Sequence, residues 1–174
     1  MENGERIHPI EPLHSSVSKE ILEMAKIDQE IRATKFNEKR WVEVEGANTK
    51  KMKQIVKEIG WPTISKVGEE ASENAWLLVQ HADRDVAFQK ECLELMKKLS
   101  PEEVSEQNIT YLYDRICVNE GKPQFFGTQF YDNEHGAYGP RPIEDIEHVD
   151  ERRKTIGLEP LAEYKEGLIK KYRK

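Results

Sequence analysis

Apolar residues spaced three or four apart recur along most of the chain, and this helical period is the feature that most limits its possible folds. Residues 68–83 show it best, because their apolar positions include small side chains that let helices approach closely. These positions are Ala71, Ala75, Leu78, Val79 and Ala82. The pattern predicts a central helix, and similar spacing elsewhere predicts a mainly α protein, a helical bundle of about six helices.

Capping and stop residues set the limits of the predicted helices. The clearest stop is Gly60, which is followed by Trp61-Pro62, since glycine adopts the left-handed conformation and proline cannot continue a helix. Asn48 is a candidate cap before this stop, and Ser100-Pro101 is typical of the start of a later helix. The predicted helical segments are residues 18–34, 48–59, 68–83, 85–99, 100–118, 146–156 and 161–172.

One β element interrupts the helical pattern in the C-terminal third. Residues 124–131 are rich in aromatic side chains, and residues 132–136 offer turn chemistry. The segment 137–143 can return as a second strand, which predicts one hairpin at about 124–143. On an alternating strand Gln124 and Thr128 would face one way and Gln129 the other.

The length of the chain, 174 residues, fits one hydrophobic core. Residues 1–16 contain His8-Pro9 and Glu11-Pro12 and have little periodicity, which predicts an irregular N-terminal arm. Residues 17–174 are predicted to form a single helical domain.

Charge and composition limit the partners and the location of the protein. The formal net charge is −6, so no strong positive field favours nucleic acid. No apolar stretch reaches the length of a membrane span, and the N-terminus lacks the apolar core of a signal peptide. The two cysteines, Cys92 and Cys117, lie in apolar helical patterns typical of reduced thiols. We expect a cytoplasmic protein that binds neither nucleic acid nor membrane and whose protein partner is unknown.

The segment Gln80-His81-Ala82-Asp83 is the most polar cluster in an otherwise apolar helix. An imidazole can act as a general acid or base near neutral pH, and Asp85, one turn onward, could hold it in one tautomer. His81 and Asp83 are therefore candidate catalytic residues, and Gln80 is a candidate ligand-binding residue. A histidine at a helix end is about as often structural, a favourable charge at the negative end of the dipole.

Asp114-Arg115 lies in the last turns of a predicted helix, where neighbouring residues point in different directions and do not pair easily. Asp114 is a third candidate catalytic residue. Arg115 could bind an anionic ligand, or it could pair with a carboxylate such as Asp83 in a structural ion pair.

Amide and hydroxyl groups set among aromatic residues provide further candidate ligand-binding positions, because an amide both donates and accepts hydrogen bonds. They are Gln124, Thr128 and Gln129, together with Gln89 in an earlier helix. Gly127 could allow a ligand to approach the backbone closely, or it could mark a bulge.

Motifs for metal or cofactor binding are absent from the sequence. It contains no His-Glu-x-x-His, no Cys-x-x-Cys, no Walker loop and no dinucleotide fingerprint. We therefore predict no metal site and no cofactor.

Several segments, taken in chain order, resemble a bacterial family of unknown function. They are Gly60-Trp61-Pro62, Val67-Gly68, Gln80-His81-Ala82-Asp83, Phe88-Gln89, Tyr111-Leu112, Asp114-Arg115 and Gly127-Thr128-Gln129. The resemblance spans about residues 60–165. It implies a small bacterial protein with Gln-His-Ala-Asp, Asp-Arg and Gly-Thr-Gln as signature segments, and it implies no substrate or reaction.

Two functions fit these observations. The first is a small enzyme or ligand-binding domain with a pocket for a small polar or anionic molecule, in which His81 is the acid or base, Arg115 anchors an anionic group and Gln129 orients the substrate. The second is a non-catalytic interaction module, of the immunity or antitoxin type, whose acidic surface meets a basic partner. A solvent-connected pocket would favour the first, and a closed hydrogen-bonded network the second.

Overall fold

The computed structural model describes residues 12–34, 37–132 and 137–172. Its helices are α1 (Ser15–Ala33), α2 (Glu38–Ile59), α3 (Ile64–Val67), α4 (Glu69–Gln80), α5 (Val86–Met96), α6 (Glu106–Asn119), α7 (Val149–Thr155) and α8 (Leu161–Tyr172). Its two strands are β1 (Phe130–Asp132) and β2 (Tyr138–Pro140), and a 3-10 turn at Ile146–His148 precedes α7. The predicted mainly helical fold with a hairpin in the C-terminal third is confirmed, with eight α-helices in the described residues instead of about six.

Helix α4 is the centre of the helical core and contacts α1, α2, α3, α5 and α6. Its buried face consists of Ala71, Ala75, Leu78 and Val79, each at most 2% exposed. The alanines let the neighbouring helices approach, and burial of each larger apolar side chain contributes about 1.5–3 kcal/mol. The central helix predicted from this stripe is therefore confirmed.

Helix α2 is longer than predicted. The side chain of Asn37 accepts a hydrogen bond from the Arg40 backbone N–H at 3.1 Å, so the helix begins there and not at the predicted cap Asn48. Asn48 is buried inside the helix. The predicted stop is confirmed, because Gly60 has a φ of 70° and its N–H donates to the carbonyl of Val56.

The predicted helix start at Ser100-Pro101 is wrong, since α6 begins after Ser105, whose side chain caps it. Residues 100–104 form a turn that is hydrogen-bonded to the first residues of α3. The Glu103 carboxylate accepts hydrogen bonds from the backbone and hydroxyl of Ser65, and the Glu103 carbonyl accepts one from Ile64. These contacts hold the turn in place, so the helix begins beyond it.

The hairpin is shorter than the predicted segment 124–143. Strands β1 and β2 are antiparallel and pair Phe130 with Pro140 and Asp132 with Tyr138. Gln124 forms an isolated bridge with Ile143, and its N–H donates to the carbonyl of Pro142. Residues 125–128 form a loop, in which the Asp114 side chain accepts the backbone hydrogen bonds of Phe125, Phe126 and Thr128.

Two parts of the sequence interpretation fall partly outside the described residues. These are the predicted turn at 132–136, of which 133–136 are not described, and the predicted arm at 1–16, of which 1–11 are not described. Helix α1 begins at Ser15, before the predicted start at Ser18. In the described ranges, no helix combines the length and the apolar character needed to cross a membrane.

Gly127 is a position where we expect a side chain to be excluded. It has a φ of 71°, and a Cβ there would lie 2.8 Å from Ile143 Cδ1 and 2.9 Å from Leu161 Cδ1. The glycine therefore lets the loop pack closely against Ile143, which precedes α7, and Leu161, at the start of α8.

We predict that Gly127→Ala destabilises the protein more than Gly121→Ala. Gly121 has a similar φ of 72°, but no described atom lies within 4 Å of a Cβ built there. Gly121→Ala should therefore cost only the backbone strain, about 1–2 kcal/mol. Gly127→Ala should cost about 1–3 kcal/mol more because of overpacking. Urea unfolding of both variants measures the difference, and equal losses would contradict the packing role of Gly127.

Candidate functional site

His81 lies at the C-terminal end of α4 and contacts a carboxylate of α1. Its Nδ1 is 2.7 Å from Oδ2 of Asp28. The Asp28 side chain is 1% exposed, whereas that of His81 is 17% exposed. The pair therefore consists of a buried carboxylate behind a partly exposed imidazole.

The hydrogen bond to Asp28 determines the tautomer of His81. An ionised carboxylate only accepts hydrogen bonds, so the imidazole carries a proton on Nδ1. This leaves Nε2 as the acceptor of the neutral ring, and no described residue lies within hydrogen-bond distance of it. Nε2 can therefore accept a proton from a bound molecule, or return one.

The Asp28 oxygen that contacts His81 is also bound by two other side chains of α1. Arg32 Nε and Gln29 Nε2 each donate to Oδ2 at 2.9 Å. Burial by itself would raise the pKa of Asp28, but the hydrogen bonds and charges of His81 and Arg32 outweigh it and hold the pKa below the ordinary value of 3.8. Asp28 is therefore an anion at neutral pH.

The prediction that Asp85 orients His81 is wrong. Asp85 is the N-cap of α5, where Oδ1 accepts a hydrogen bond from the Phe88 backbone N–H at 3.1 Å, and its other oxygen pairs with Lys53. Its carboxylate is thus occupied by a helix cap and a lysine, and Asp28 takes the role at His81.

Asp83 and Arg115 form a two-pronged ion pair between the end of α4 and α6. Arg115 Nε and Nη2 donate to the two Asp83 oxygens at 2.8 and 2.5 Å, and Arg115 Nη1 donates to Gln129 Oε1 at 3.1 Å. The carboxylate was one of the two partners that the sequence suggested for Arg115. Burial would raise the pKa of Asp83, but Arg115, Asn119 and the charge of His81 outweigh it and lower the pKa below 3.8.

Asp114 is 0% exposed and organises the loop at 124–129. Oδ1 accepts hydrogen bonds from the backbone N–H groups of Phe125 and Phe126 at 2.8 and 3.0 Å. Oδ2 accepts from the backbone and the hydroxyl of Thr128, both at 3.0 Å. Both carboxylate oxygens are buried and accept hydrogen bonds from the protein, which favours a structural role for Asp114.

The expectation that Gln124 and Gln129 face opposite sides of a strand is wrong. The Gln129 backbone N–H donates to Gln124 Oε1 at 2.7 Å, and Gln124 Nε2 donates to the carbonyls of Gln129 and Arg141, both at 2.9 Å. Gln124 therefore closes the loop from inside. Gln129 Nε2 donates to the Thr128 hydroxyl at 3.0 Å, so two neighbouring side chains of the loop are also bonded to each other.

Gln89 and Gln80 join the ends of α4 and α5 to α6. Gln89 Nε2 donates to the carbonyls of Val79 and Gln80 at 3.1 and 3.3 Å, and its Oε1 accepts from Asn119 at 3.0 Å. Gln80 Nε2 lies 3.5 Å from the carbonyl of Tyr111, and its buried Oε1 has no partner among the described residues. Both glutamines thus contact protein groups instead of a solvent-filled cavity.

A groove of about 540 Å³ lies along the seam between α1 and α4. It is lined by Lys19, Leu22, Glu23, Ala25, Lys26, Gln29, Glu70 and Asn74. The predicted site residues are not among these described lining residues. Gln29 connects the groove to the site, because its amide donates to Asp28.

Most of the chain matches one family of protein sequences. A family model described as a family of unknown function, DUF6624, matches residues 15–173. The chain belongs to DUF6624. No curated protein and no solved structure matches it. The predicted resemblance to a family of unknown function is confirmed, and membership of DUF6624 assigns no substrate.

The sequence analysis did not identify four residues of the candidate site: Asp28, Gln29, Arg32 and Asn119. The sequence pattern could have identified Asp28, because it lies on the same apolar face of the helix as Ile21 and Ala25, where a buried carboxylate is unusual. Arg32 follows Asp28 by one helical turn. Asn119 had no such signal, because a polar residue at the end of a helix is ordinary.

We predict that the stability of this DUF6624 protein falls as the pH drops below about 4. Asp28 and Asp83 have pKa values below 3.8 in the folded state, so the unfolded chain binds protons first and acid favours unfolding. Asp83→Asn should make this dependence shallower without abolishing it, since one of the carboxylates with a lowered pKa no longer titrates. Urea unfolding between about pH 3 and pH 7 measures both slopes, and identical slopes would contradict the assignment.

We predict that Asp114→Asn destabilises the fold by about 2–4 kcal/mol, because an amide NH2 would face backbone donors in a buried site. Thr128→Val is the milder matched change. It removes the hydroxyl, which donates to Asp114 and accepts from Gln129, but it keeps the backbone bonds to Asp114, so it should cost about 1–2 kcal/mol. Hydrogen exchange at Phe125 and Phe126 should accelerate in Asp114→Asn. A loss no greater than that of Thr128→Val would contradict the role of Asp114.

Proposed function

We propose that the protein binds a small polar molecule beside His81 and uses the Asp28–His81 pair as a general acid–base group. The observation that carries this proposal is the 2.7 Å contact between a buried carboxylate and a partly exposed imidazole. A carboxylate behind the ring fixes its tautomer and stabilises the imidazolium that forms when the ring takes a proton.

Helix packing alone does not require Asp28. An apolar residue at this position of the α1 stripe would pack without the desolvation penalty, which is several kcal/mol for a buried carboxylate. Three donors offset this penalty, and one of them belongs to an element 53 residues away in the chain. The arrangement therefore favours a functional reason for retaining the charge.

The groove between α1 and α4 reaches Gln29, a partner of Asp28, but His81 does not line it, so the proposal rests on the Asp28–His81 contact and not on this groove. The cysteines do not supply an alternative nucleophile, since burial raises the pKa of both Cys92 and Cys117. In this proposal His81 acts on a group of the bound molecule or on water.

Two of the other predicted site residues, Asp83 and Arg115, have a supporting role in this proposal. Asp83 and Arg115 hold the end of α4 beside α6, and the ligand-binding roles predicted for the remaining positions stay proposals. Those positions are Gln80, Gln89, Gln124, Thr128 and Gln129. The bacterial origin, the signature segments and the cytoplasmic location also stay proposals from the sequence.

A second candidate is the non-catalytic interaction module of the immunity or antitoxin type. The specific observation in its favour is the closed network around Asp114, which satisfies its own hydrogen bonds without a ligand. The net charge of −6 would suit a basic partner. This candidate requires no role for Nε2 of His81, which separates it from the first.

We predict that His81→Gln removes ligand binding or turnover while the protein stays folded. Glutamine can still donate to Asp28 but cannot exchange a proton near neutral pH. A thermal-shift screen of a metabolite library should find compounds that stabilise the wild-type protein, by about 2.7 kcal/mol at a hundred times the Kd. The variant should lose most of this stabilisation, and any turnover should fall by about 10²–10⁴.

The matched control is His148→Gln. His148 also pairs with an aspartate, since Nδ1 lies 2.9 Å from Oδ1 of Asp145, but both side chains are more than half exposed. This variant should keep the stabilisation of the wild type. Equal ligand responses in the wild type and both variants would contradict the acid–base proposal and favour the interaction module.

A further inference from the structure

Arg32 places a guanidinium directly beside His81. Its Nε donates to Asp28 Oδ2 at 2.9 Å, and Nδ1 of His81 lies 2.7 Å from the same oxygen. Two nitrogens that bind one oxygen atom are close neighbours, so the guanidinium and the imidazole lie at one site.

The guanidinium of Arg32 is held on its edge and on its face. Asp28 binds the Nε edge, and the ring of Trp41 on α2 lies under the guanidinium, with Cζ 4.7 Å from the ring centroid. Trp41 Nε1 in turn lies 3.4 Å from the carbonyl of Ile31, the residue before Arg32. These contacts restrict the long side chain before any ligand binds, which lowers the entropy that binding costs.

The Nη groups of Arg32 are available for a ligand. No described residue accepts a hydrogen bond from them, and the side chain is 24% exposed. Two parallel N–H groups on a planar fork match the two oxygens of a carboxylate or of a phosphate.

Arg115, which the sequence suggested as the anion anchor, differs in this respect. Its Nε and Nη2 bind both oxygens of Asp83, and its Nη1 binds Gln129. An anionic ligand would have to displace the Asp83 carboxylate to form the same two-pronged contact. Arg32 has no such competitor for its Nη groups among the described residues.

We infer that Arg32 binds an oxyanion group of the ligand, a carboxylate or a phosphate, and thereby places the ligand beside His81. The inference rests on the proposed function, because it names the chemical class of the molecule bound at that site. The ligand class is a small molecule with a terminal carboxylate or phosphate. The role of Arg32 is binding and positioning, and proton transfer stays with His81.

The test uses inorganic phosphate and acetate as separate probes of the full chain, with chloride at the same ionic strength as the reference. NMR resonances of the Arg32 Nε–H and of the His81 ring report binding at constant pH. Both should move and saturate with phosphate, with acetate or with both, and should not saturate with chloride. The probe that binds more tightly identifies the group that the ligand carries.

Three variants make the assignment specific. Arg32→Gln should weaken oxyanion binding at least about tenfold, as read at the His81 ring, and Arg32→Lys should lie between it and the wild type, because it keeps the charge and loses the fork. Arg141→Gln is the matched control, since Arg141 also stacks on an aromatic ring, with Cζ 4.4 Å from the Tyr131 centroid, and should bind as the wild type does. Thermal melts confirm that each variant is folded.

Oxyanion titrations that never exceed the effect of chloride would overturn the inference, as would an unchanged affinity in folded Arg32→Gln. Loss of binding in Arg115→Lys with normal binding in Arg32→Gln would assign the anchor to Arg115 instead. These outcomes do not test the acid–base proposal. Oxyanion binding at Arg32 together with an unaffected His81→Gln variant would refute only the proposed function.

Discussion

The carboxylate of Asp114 is the interaction on which the C-terminal part of the structure depends. It accepts hydrogen bonds from the backbone N–H groups of Phe125, Phe126 and Thr128. The guanidinium groups of Arg152 and Arg153 donate to the carbonyls of Phe125 and Phe126 at 2.9 and 2.7 Å. The loop is thus held from α6 on one side and from α7 on the other. A buried loop needs such partners because its backbone groups have neither a strand ladder nor water.

The protein contains a second buried carboxylate with a different environment. Asp114 is surrounded by donors of one loop, whereas Asp28 is bound by donors of two helices and contacts a ring that reaches solvent. The first arrangement is complete without a ligand. The second leaves Nε2 of His81 and the Nη groups of Arg32 without a hydrogen-bond partner among the described residues, and this difference is why the proposed function is placed at Asp28.

The helical fold was predictable because it depends on local patterns. The stripe of Ala71, Ala75 and Leu78 and the stop at Gly60 act within one helix or one turn, so the sequence alone displays them. The start of α6 was not predictable from Ser100-Pro101, since residues 100–104 form a turn in which Glu103 bonds to Ser65, far away in the chain, and Ser105 caps the helix. Local signals therefore fail where a long-range hydrogen bond competes with a helix cap.

The candidate site was predictable only in its parts. The polar segment at 80–83 led to the prediction of His81 as a site residue, but its partner was sought one turn away at Asp85 and lies at Asp28. Asp28 is far from His81 in the chain, and periodicity carries no information on which helices lie side by side. The prediction of a strand at 124–129 was wrong for a related reason. An alternating pattern does not reveal that a side chain, Asp114, accepts the backbone hydrogen bonds that a neighbouring strand would otherwise accept.

The packing of α1 against α4 has a consequence for the Asp28–His81 pair. Asp28 and His81 are 53 residues apart in the chain and meet only when these two helices are docked. A chain with α1 detached would keep its histidine but would lose the anion that orients it. The environment of the imidazole thus depends on whether the first helix is in place, and docking of α1 also assembles the proposed acid–base pair.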